Sequence, residues 1–425
     1  MTNKIRVLSV CSSDSFGGAA RAAYRIHLAV KEYGIESRML VKHKDTSDTD
    51  IMELEQFLPQ NSLYKTICWL TNKIENKRRK IIWRMYPKRT EYFMSDLSAT
   101  DINGALDKID YDILHLHWIN SQFLSLKHLP KDKPIVWTLH DSWPFCGICH
   151  YFLNCDRYIH GCGLCPHLNS LKENDLSRVI WKKKQKAFSN LNLNFVSPSK
   201  WLSQCASESL LLKNRPITVI PNCLDTTIFK PLCTDEILPR ILKMKDSFNG
   251  KSIILFGAAN ASKDRIKGAT IFLEALKYLE DNGYSKRLGV IIFGVNEKLE
   301  GIPSTIASYQ IGYLDTCELV SLYNISSVVA VPSITEVFGQ VASEAMSCGK
   351  PVVAFKCTGI KEIVGADCGY LAQPYSSEDF AKGILWCLDN NKDGLLSNNA
   401  RDKVLGQYTP SIIGKLYSDF YKKLI

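Results

Sequence analysis

Short, almost continuous apolar runs alternate with stretches of helical period along this chain, and that alternation restricts the fold more than any other feature. Ile5–Cys11 (IRVLSVC), 37–42, 112–118 (DILHLHW), 135–140 (IVWTLH), 194–197 and 217–220 read as strands in the first half. In the second half 252–256, 289–293, 327–331 and 351–355 do the same. Helical stretches fall near 19–33, 200–212, 268–282, 316–325, 339–348 and 376–390. Strands without apolar–polar alternation are buried on both faces, as in parallel sheets built from βαβ units. Right-handed crossovers then give two doubly wound α/β domains, with ligands expected in a cleft at the strand C-termini.

The 425 residues suffice for two or three domains, and 45% hydrophobic with 23% charged residues suits a globular chain. Turn residues cluster at 221–231, so the expected division is an N-terminal domain at 1–228, a second domain at 229–405 and a closing helix at 406–425 that packs back on the first. No apolar run reaches 18 residues and the N-terminus lacks a long apolar h-region, so neither a membrane-spanning helix nor a signal peptide is expected. The fifteen cysteines then suit a reducing, cytoplasmic setting.

The net charge of +10 is concentrated. Residues 65–89, within an insertion at 54–100, hold nine basic residues and one acidic, Glu75, which leaves only +2 for the rest. Ile67, Trp69, Leu70, Ile74, Ile81, Trp83 and Met85 are interleaved with them. This mixture suits an anionic membrane surface, hence a peripheral seat on the inner face of the plasma membrane; the alternative is an ordinary solvated helix. No nucleic-acid motif accompanies it, and no nucleic-acid partner is expected.

Four groups carry chemistry. Glu336 and Glu344 lie in PSITEVFGQVASEAM, after a strand and around a helix start at Gly339. A helix N-terminus favours an anion, and carboxylates accept hydrogen bonds from hydroxyl groups. A ligand with hydroxyls at both ends and negative charge between them is a nucleotide sugar. Gly17 and Gly18 let the backbone approach a ligand after the first strand. His140-Asp141 ends another strand, and His115 and His117 lie two apart on one face of a further strand. Arg265, Lys267 and Gly268 would suit a diphosphate. Separately, Cys146, Cys149, Cys155, Cys162 and Cys165 fall within twenty residues of a loop at 146–167. Cys149-x5-Cys155-x6-Cys162-x2-Cys165 can supply four thiolates to a structural zinc; a disulfide or redox loop and inert thiols are the alternatives.

The Glu336-x7-Glu344 run resembles the signature of family 4 retaining glycosyltransferases of GT-B fold. The resemblance extends to Gly17-Gly18, His140-Asp141, Pro198-Ser199, Ile220-Pro221-Asn222, Arg265–Gly268, Gly312-Tyr313 and Gly359–Val364. It is closest to a bacterial branch that builds surface polysaccharides, such as lipopolysaccharide or capsule, with HDSWPF ahead of the cysteine loop. The resemblance implies transfer of a sugar from a nucleotide-diphosphate donor to a glycan or lipid-linked acceptor. It implies no catalytic metal. Glu344 would bind the donor ribose and Glu336 the sugar, with the N–H groups of Phe338 and Gly339 on sugar or phosphate oxygens. Arg265 and Lys267 would neutralise the diphosphate, Gly18 would lie near it, and His140 would bond the sugar. Two departures stand out: Val337 replaces a usual glycine, and Ala258-Ala259 replace a usual arginine. A nucleotide-sugar isomerase and a non-catalytic scaffold of a polysaccharide assembly complex are the competing functions.

Overall fold

The computed structural model describes residues 4–59, 61–90, 102–120, 123–257, 264–294 and 297–425. Ala258, Ala259, Lys263 and residues 91–100 of the basic insertion lie outside them. The chain divides into two compact units, Met1–Ile220 with Ile413–Ile425 (unit 1) and Pro221–Ile412 (unit 2). It passes from one to the other after Ile220 and after Ile412, where the sequence reading puts 228 and 405.

Unit 1 holds a seven-stranded sheet: β1 (Arg6–Ser13), β2 (Glu36–His43), β3 (Ile51–Glu53), β4 (Ile113–Leu116), β5 (Ile135–Thr138), β6 (Leu193–Ser197) and β7 (Ile217–Val219). Their order is β3-β2-β1-β4-β5-β6-β7, and all pairings are parallel. Every residue of β4 and β5 is buried, which is why these runs show no alternation.

Unit 2 repeats the plan with six strands: β8 (Ser252–Gly257), β9 (Leu288–Phe293), β10 (Ala307–Gln310), β11 (Val328–Val331), β12 (Val352–Phe355) and β13 (Gly369–Ala372). The order is β10-β9-β8-β11-β12-β13, again all parallel. Both units are therefore doubly wound, the fold class expected from sequence. Each sheet reverses its winding direction beside its first strand, between β1 and β4 and between β8 and β11. The loops leaving such a pair diverge and open a crevice at the strand C-termini.

Three strands escape the sequence reading: β3, β10 and β13. All lie at sheet edges, are three or four residues long and carry mixed polarity (IME, ASYQ, GYLA). An edge strand buries less, so its apolar signal is weak. Helices Leu176–Phe188, Pro239–Asp246 and Leu395–Gln407 are also additional. In the first, the run Lys182-Lys183-Lys184 masks the stripe formed by Leu176, Ile180, Trp181 and Phe188.

The last helix, Pro410–Lys422, lays Ile413, Tyr417 and Tyr421 into unit 1. Gly414 permits this: a Cβ there would lie 2.4 Å from the carbonyl oxygen of Ala29. The Tyr421 hydroxyl lies 2.7 Å from His115 Nδ1, and the Tyr417 hydroxyl 3.1 Å from Thr138 Oγ1. Thr138 Oγ1 is in turn 2.8 Å from His115 Nε2, so this buried polar cluster is closed on itself.

Candidate functional site

In unit 2 the loops that follow β8 and β11 meet at the reversal point. Ile334 N–H donates to the Ile266 carbonyl at 2.8 Å, and Gly359 N–H donates to the Glu336 carbonyl at 2.9 Å. Glu336 N–H donates to the Thr358 hydroxyl at 3.1 Å. Gly268 has φ +73°, and a Cβ there would stand 1.9 Å from the Pro332 carbonyl oxygen, so no other residue fits that approach. Thr358 has φ 53°, a left-handed conformation rare for a β-branched residue. Such strain persists only where the surroundings enforce it. Here it aims the hydroxyl at Glu336.

This clamp brings Lys267 Nζ to 2.8 Å from Glu336 Oε1, and the Ser333 hydroxyl donates to the same oxygen at 3.0 Å. The ammonium and carboxylate side chains are 24% and 17% exposed, so the pair is open to a ligand from one side. Arg265, expected as an equal partner, is exposed on the same turn. Next to the pair, Gly339 (φ +103°) caps helix Gln340–Ser347 without a side-chain cap or an acidic residue in the first turn. A helix start whose N-cap residue offers no side-chain cap suits an anion. The Phe338 side chain is core, 2% exposed and edge-on to Tyr408, which leaves only its backbone for binding.

Glu344 differs from Glu336. It is 1% exposed and accepts a 3.1 Å hydrogen bond from the Tyr323 hydroxyl. One glutamate is open and paired with a cation; the other is enclosed and held by a phenol.

In unit 1 the loop after β1 is pinned by Asp14, whose buried carboxylate accepts from Asp45 N–H, Thr46 N–H and the Thr46 hydroxyl at 3.0, 3.0 and 2.7 Å. Burial alone would raise its pKa; the hydrogen bonds from Thr46 and Asp45 outweigh that and lower it. The loop then turns at Gly17 (φ +89°) into helix Gly18–Lys31, again with no side-chain cap, and both glycines are exposed.

His140 follows β5. Its Nε2 lies 3.0 Å from His117 Nδ1, beyond the end of β4, and the rings stack at 5.3 Å. Burial pushes His140 down to about 4 and His115 to about 3, and drives His117 lower as well, so all three are neutral at pH 7. The neighbouring Asp141 accepts from Trp118 Nε1 and Trp143 N–H, each at 2.9 Å, and pairs with His150 Nδ1 at 2.5 Å. Burial raises its pKa, but the His150 charge and hydrogen bond prevail and lower it. His150, Ser333 and Thr358 were not legible as site residues: only tertiary contacts give them a partner. His117 carried a faint signal in the His115-x-His117 spacing.

The loop at 146–167 carries the four cysteines, Cys149, Cys155, Cys162 and Cys165, for which a structural zinc is the expectation. Among the described residues no group of three or more His, Cys, Asp or Glu is placed to hold a metal ion. Cys149 and Cys165 share a thiol hydrogen bond, and Cys162 Sγ accepts from Gly147 N–H at 3.2 Å, while Cys155 is only partly buried. Helix Leu176–Phe188 does the holding. Buried Lys184 donates to the carbonyls of Trp143, Cys146 (2.8 Å) and Gly147 (2.9 Å). Asp175, the helix N-cap, accepts from Cys165 N–H at 2.8 Å. Gly147 fits the helix so closely that a Cβ there would lie 2.3 Å from the Ser177 carbonyl oxygen, and Gly163 is as close to the Glu173 carbonyl just ahead of the helix.

Comparison with known proteins agrees with this architecture. The model "Glycosyltransferase Family 4" matches residues 16–228, and "Glycosyl transferases group 1" matches 241–403. A D-inositol 3-phosphate glycosyltransferase of Corynebacterium aurimucosum is 24% identical over 300 residues, 67% of this chain and 65% of that protein. The chain thus spans just under two thirds of that relative's length. A putative colanic acid biosynthesis glycosyl transferase of Escherichia coli K12, WcaC, is 21% identical over 359 residues, 82% of each chain. Among solved structures, Anabaena Alr3699/HepE in complex with UDP and glucose aligns with TM-score 0.61 and 16% identity over 99% of this chain and 100% of that one, a likeness of fold. With one family model covering half of its length and a second following it, the chain belongs to glycosyltransferase family 4.

Proposed function

We propose that the chain is a retaining glycosyltransferase that moves a hexose-type sugar from a nucleotide-diphosphate donor to a glycan or lipid-linked glycan acceptor in surface-polysaccharide synthesis. The observation that carries this reading is the Lys267–Glu336 pair at 2.8 Å, beside an uncapped helix start. Breaking a glycosyl–phosphate bond leaves positive charge on the sugar and negative charge on the diphosphate. A preorganised cation and N–H dipoles aimed at that phosphate stabilise the transition state, usually the largest single catalytic term. Lys267 meets the diphosphate, with Arg265 on the same turn as a second cation. Glu336 both holds Lys267 and faces the sugar. The N–H groups of Phe338 and Gly339 receive sugar or phosphate oxygens, and Glu344 accepts from the donor ribose alongside Tyr323. In unit 1 the Gly17–Gly18 turn is suited to phosphate, and the neutral imidazole of His140 to a sugar hydroxyl. The bond from sugar to diphosphate breaks, the bond to the acceptor hydroxyl forms on the same face, and the acceptor's proton passes to the departing diphosphate oxygen. This route uses no catalytic metal.

The names of relatives support this class of chemistry: colanic acid biosynthesis in one, a solved neighbour holding UDP-glucose in another. The test is incubation with a panel of nucleotide sugars and lipid-linked acceptors, with and without EDTA. Released nucleoside diphosphate and a new glycoside of unchanged anomeric configuration is the expected result. An altered sugar without acceptor would mean an isomerase, and neither product a binding protein.

A further inference from the structure

Most of the basic segment lies in one helix, Ser62–Arg84, which shows an apolar stripe to solvent. At about 100° per residue, Ile67, Leu70, Ile74 and Ile81 fall within an arc of about 60°, and Met85 follows directly after the last helical residue. They are 51%, 46%, 65%, 51% and 64% exposed. The half-buried side chains Glu75, Arg79, Ile82, Trp83 and Tyr86 lie on the far side, toward unit 1. The segment is anchored there: Tyr86 accepts a hydrogen bond from Leu176 N–H at 3.0 Å, and Thr90 N–H donates to the His167 carbonyl at 2.9 Å. Exposed Lys77, Lys80 and Arg84 border the stripe on one side, and exposed Arg78 on the other.

We propose that this stripe is a membrane-docking surface, lying in the interface of an anionic bilayer with its aliphatic side chains among the acyl chains and its basic borders at the headgroups. A helix of low mean hydropathy, with a narrow apolar face and Lys/Arg flanks, has the build of an interfacial helix, and none of the described helices is long and apolar enough to span a membrane. Long Lys and Arg stems can lie along the apolar boundary and keep their charge among phosphates. Charge decides the occupant. Lys77 and Arg84 continue the seven-residue spacing of Leu70, so a second copy would press like charges together along its seam. An anionic lipid surface answers both the stripe and its borders. The inference is independent of the transferase reading, because its test contains no sugar.

The full chain is floated with vesicles of phosphatidylcholine alone or with about 30% phosphatidylglycerol, at about 0.1 and about 0.5 M salt. The expected result is binding to the anionic vesicles only, reduced at least about tenfold at the higher salt. Ile74→Asp with Ile81→Asp should weaken it about tenfold without shifting Tm, both side chains being exposed. Lys77→Glu with Lys80→Glu and Arg84→Glu should abolish it. The proposal is overturned by absent binding, by equal binding to neutral vesicles, or by stripe variants that bind like the parent. A dimer that the Ile74→Asp, Ile81→Asp variant dissolves would also overturn it, assigning the stripe to a second copy.

Discussion

Lys267 and Glu336, 69 positions apart, are joined by a 2.8 Å ion pair that ties the loop after β8 to the loop after β11. Removing either partner should remove transition-state stabilisation. Lys267→Ala and Glu336→Ala are each expected to lower kcat/KM by at least about 100-fold, and the double variant by little more than the worse single one. Tm should hardly move, since a partly exposed pair adds about 0–1 kcal/mol to stability. Steady-state rates with circular dichroism check this; full activity in either single variant removes the pair from the mechanism.

Glu344 is expected to act on donor affinity. Glu344→Gln should raise the donor KM several-fold with a smaller change in kcat. Tyr323→Phe, which removes one hydrogen bond, should cost about 1 kcal/mol, near fivefold in kcat/KM. Titration with the bare nucleoside diphosphate separates the two effects: unchanged nucleotide affinity in Glu344→Gln would assign that carboxylate a purely structural task.

The His117–His140 contact fixes a tautomer. One nitrogen donates across the 3.0 Å contact, and His117 Nε2 is buried without a partner among the described residues. An orphaned lone pair is tolerated better than an orphaned N–H. His117 should therefore carry its proton on Nδ1 and His140 its own on Nδ1. Nitrogen-15 NMR of labelled histidine reads this directly, and His117→Phe should raise sugar-donor KM more than it lowers kcat. A protonated Nε2 on His117 would contradict the assignment.

Stability of unit 1 should fall in mild acid. His27 and His115 are fully buried, with pKa lowered by burial to about 4 and about 3. Between the ordinary value of 6.5 and those values the unfolded chain takes up protons that the folded one refuses. Stability is thus intact above about pH 6.5 and declines below it by about 1.4 kcal/mol per pH unit for each histidine. Denaturant titrations from pH 7 to 4 check the slope, which His115→Gln should flatten; a slope unchanged in that variant would refute the role of His115.

Lys184→Met should be among the most damaging single changes. It leaves the carbonyls of Trp143, Cys146 and Gly147 without their common donor. A loss of about 1–3 kcal/mol is expected for each carbonyl left buried without a donor. Thermal melts measure it, and accelerated reaction of the loop thiols with a disulfide reagent reports local opening. A variant as stable as the parent would show that the helix alone holds the loop.

Much of the fold was legible because central parallel strands are buried on both faces: IVWT and VVAF announce themselves wherever they stand. The edge strands ASYQ and GYLA do not, since half of each faces outward. The Glu336–Glu344 spacing was readable because it lies within one loop and helix. Its pairing with Lys267, the Ser333 and Thr358 contacts and the left-handed backbone at Thr358 arise only when separate loops meet. The cysteine spacing was equally readable, but the helix that holds the loop's backbone through Lys184 and the N-cap Asp175 was not, because its lysines disguise it.

The closing helix has a consequence for how the protein is made. Tyr417 and Tyr421 complete the buried cluster around His115 and Thr138, yet they leave the ribosome after every residue of unit 2. Unit 1 cannot finish folding during its own synthesis; it waits with an open seat for the last turns of the chain. A clone cut after Ile220 would never receive them, so expressing the first unit by itself requires grafting that helix back by a linker.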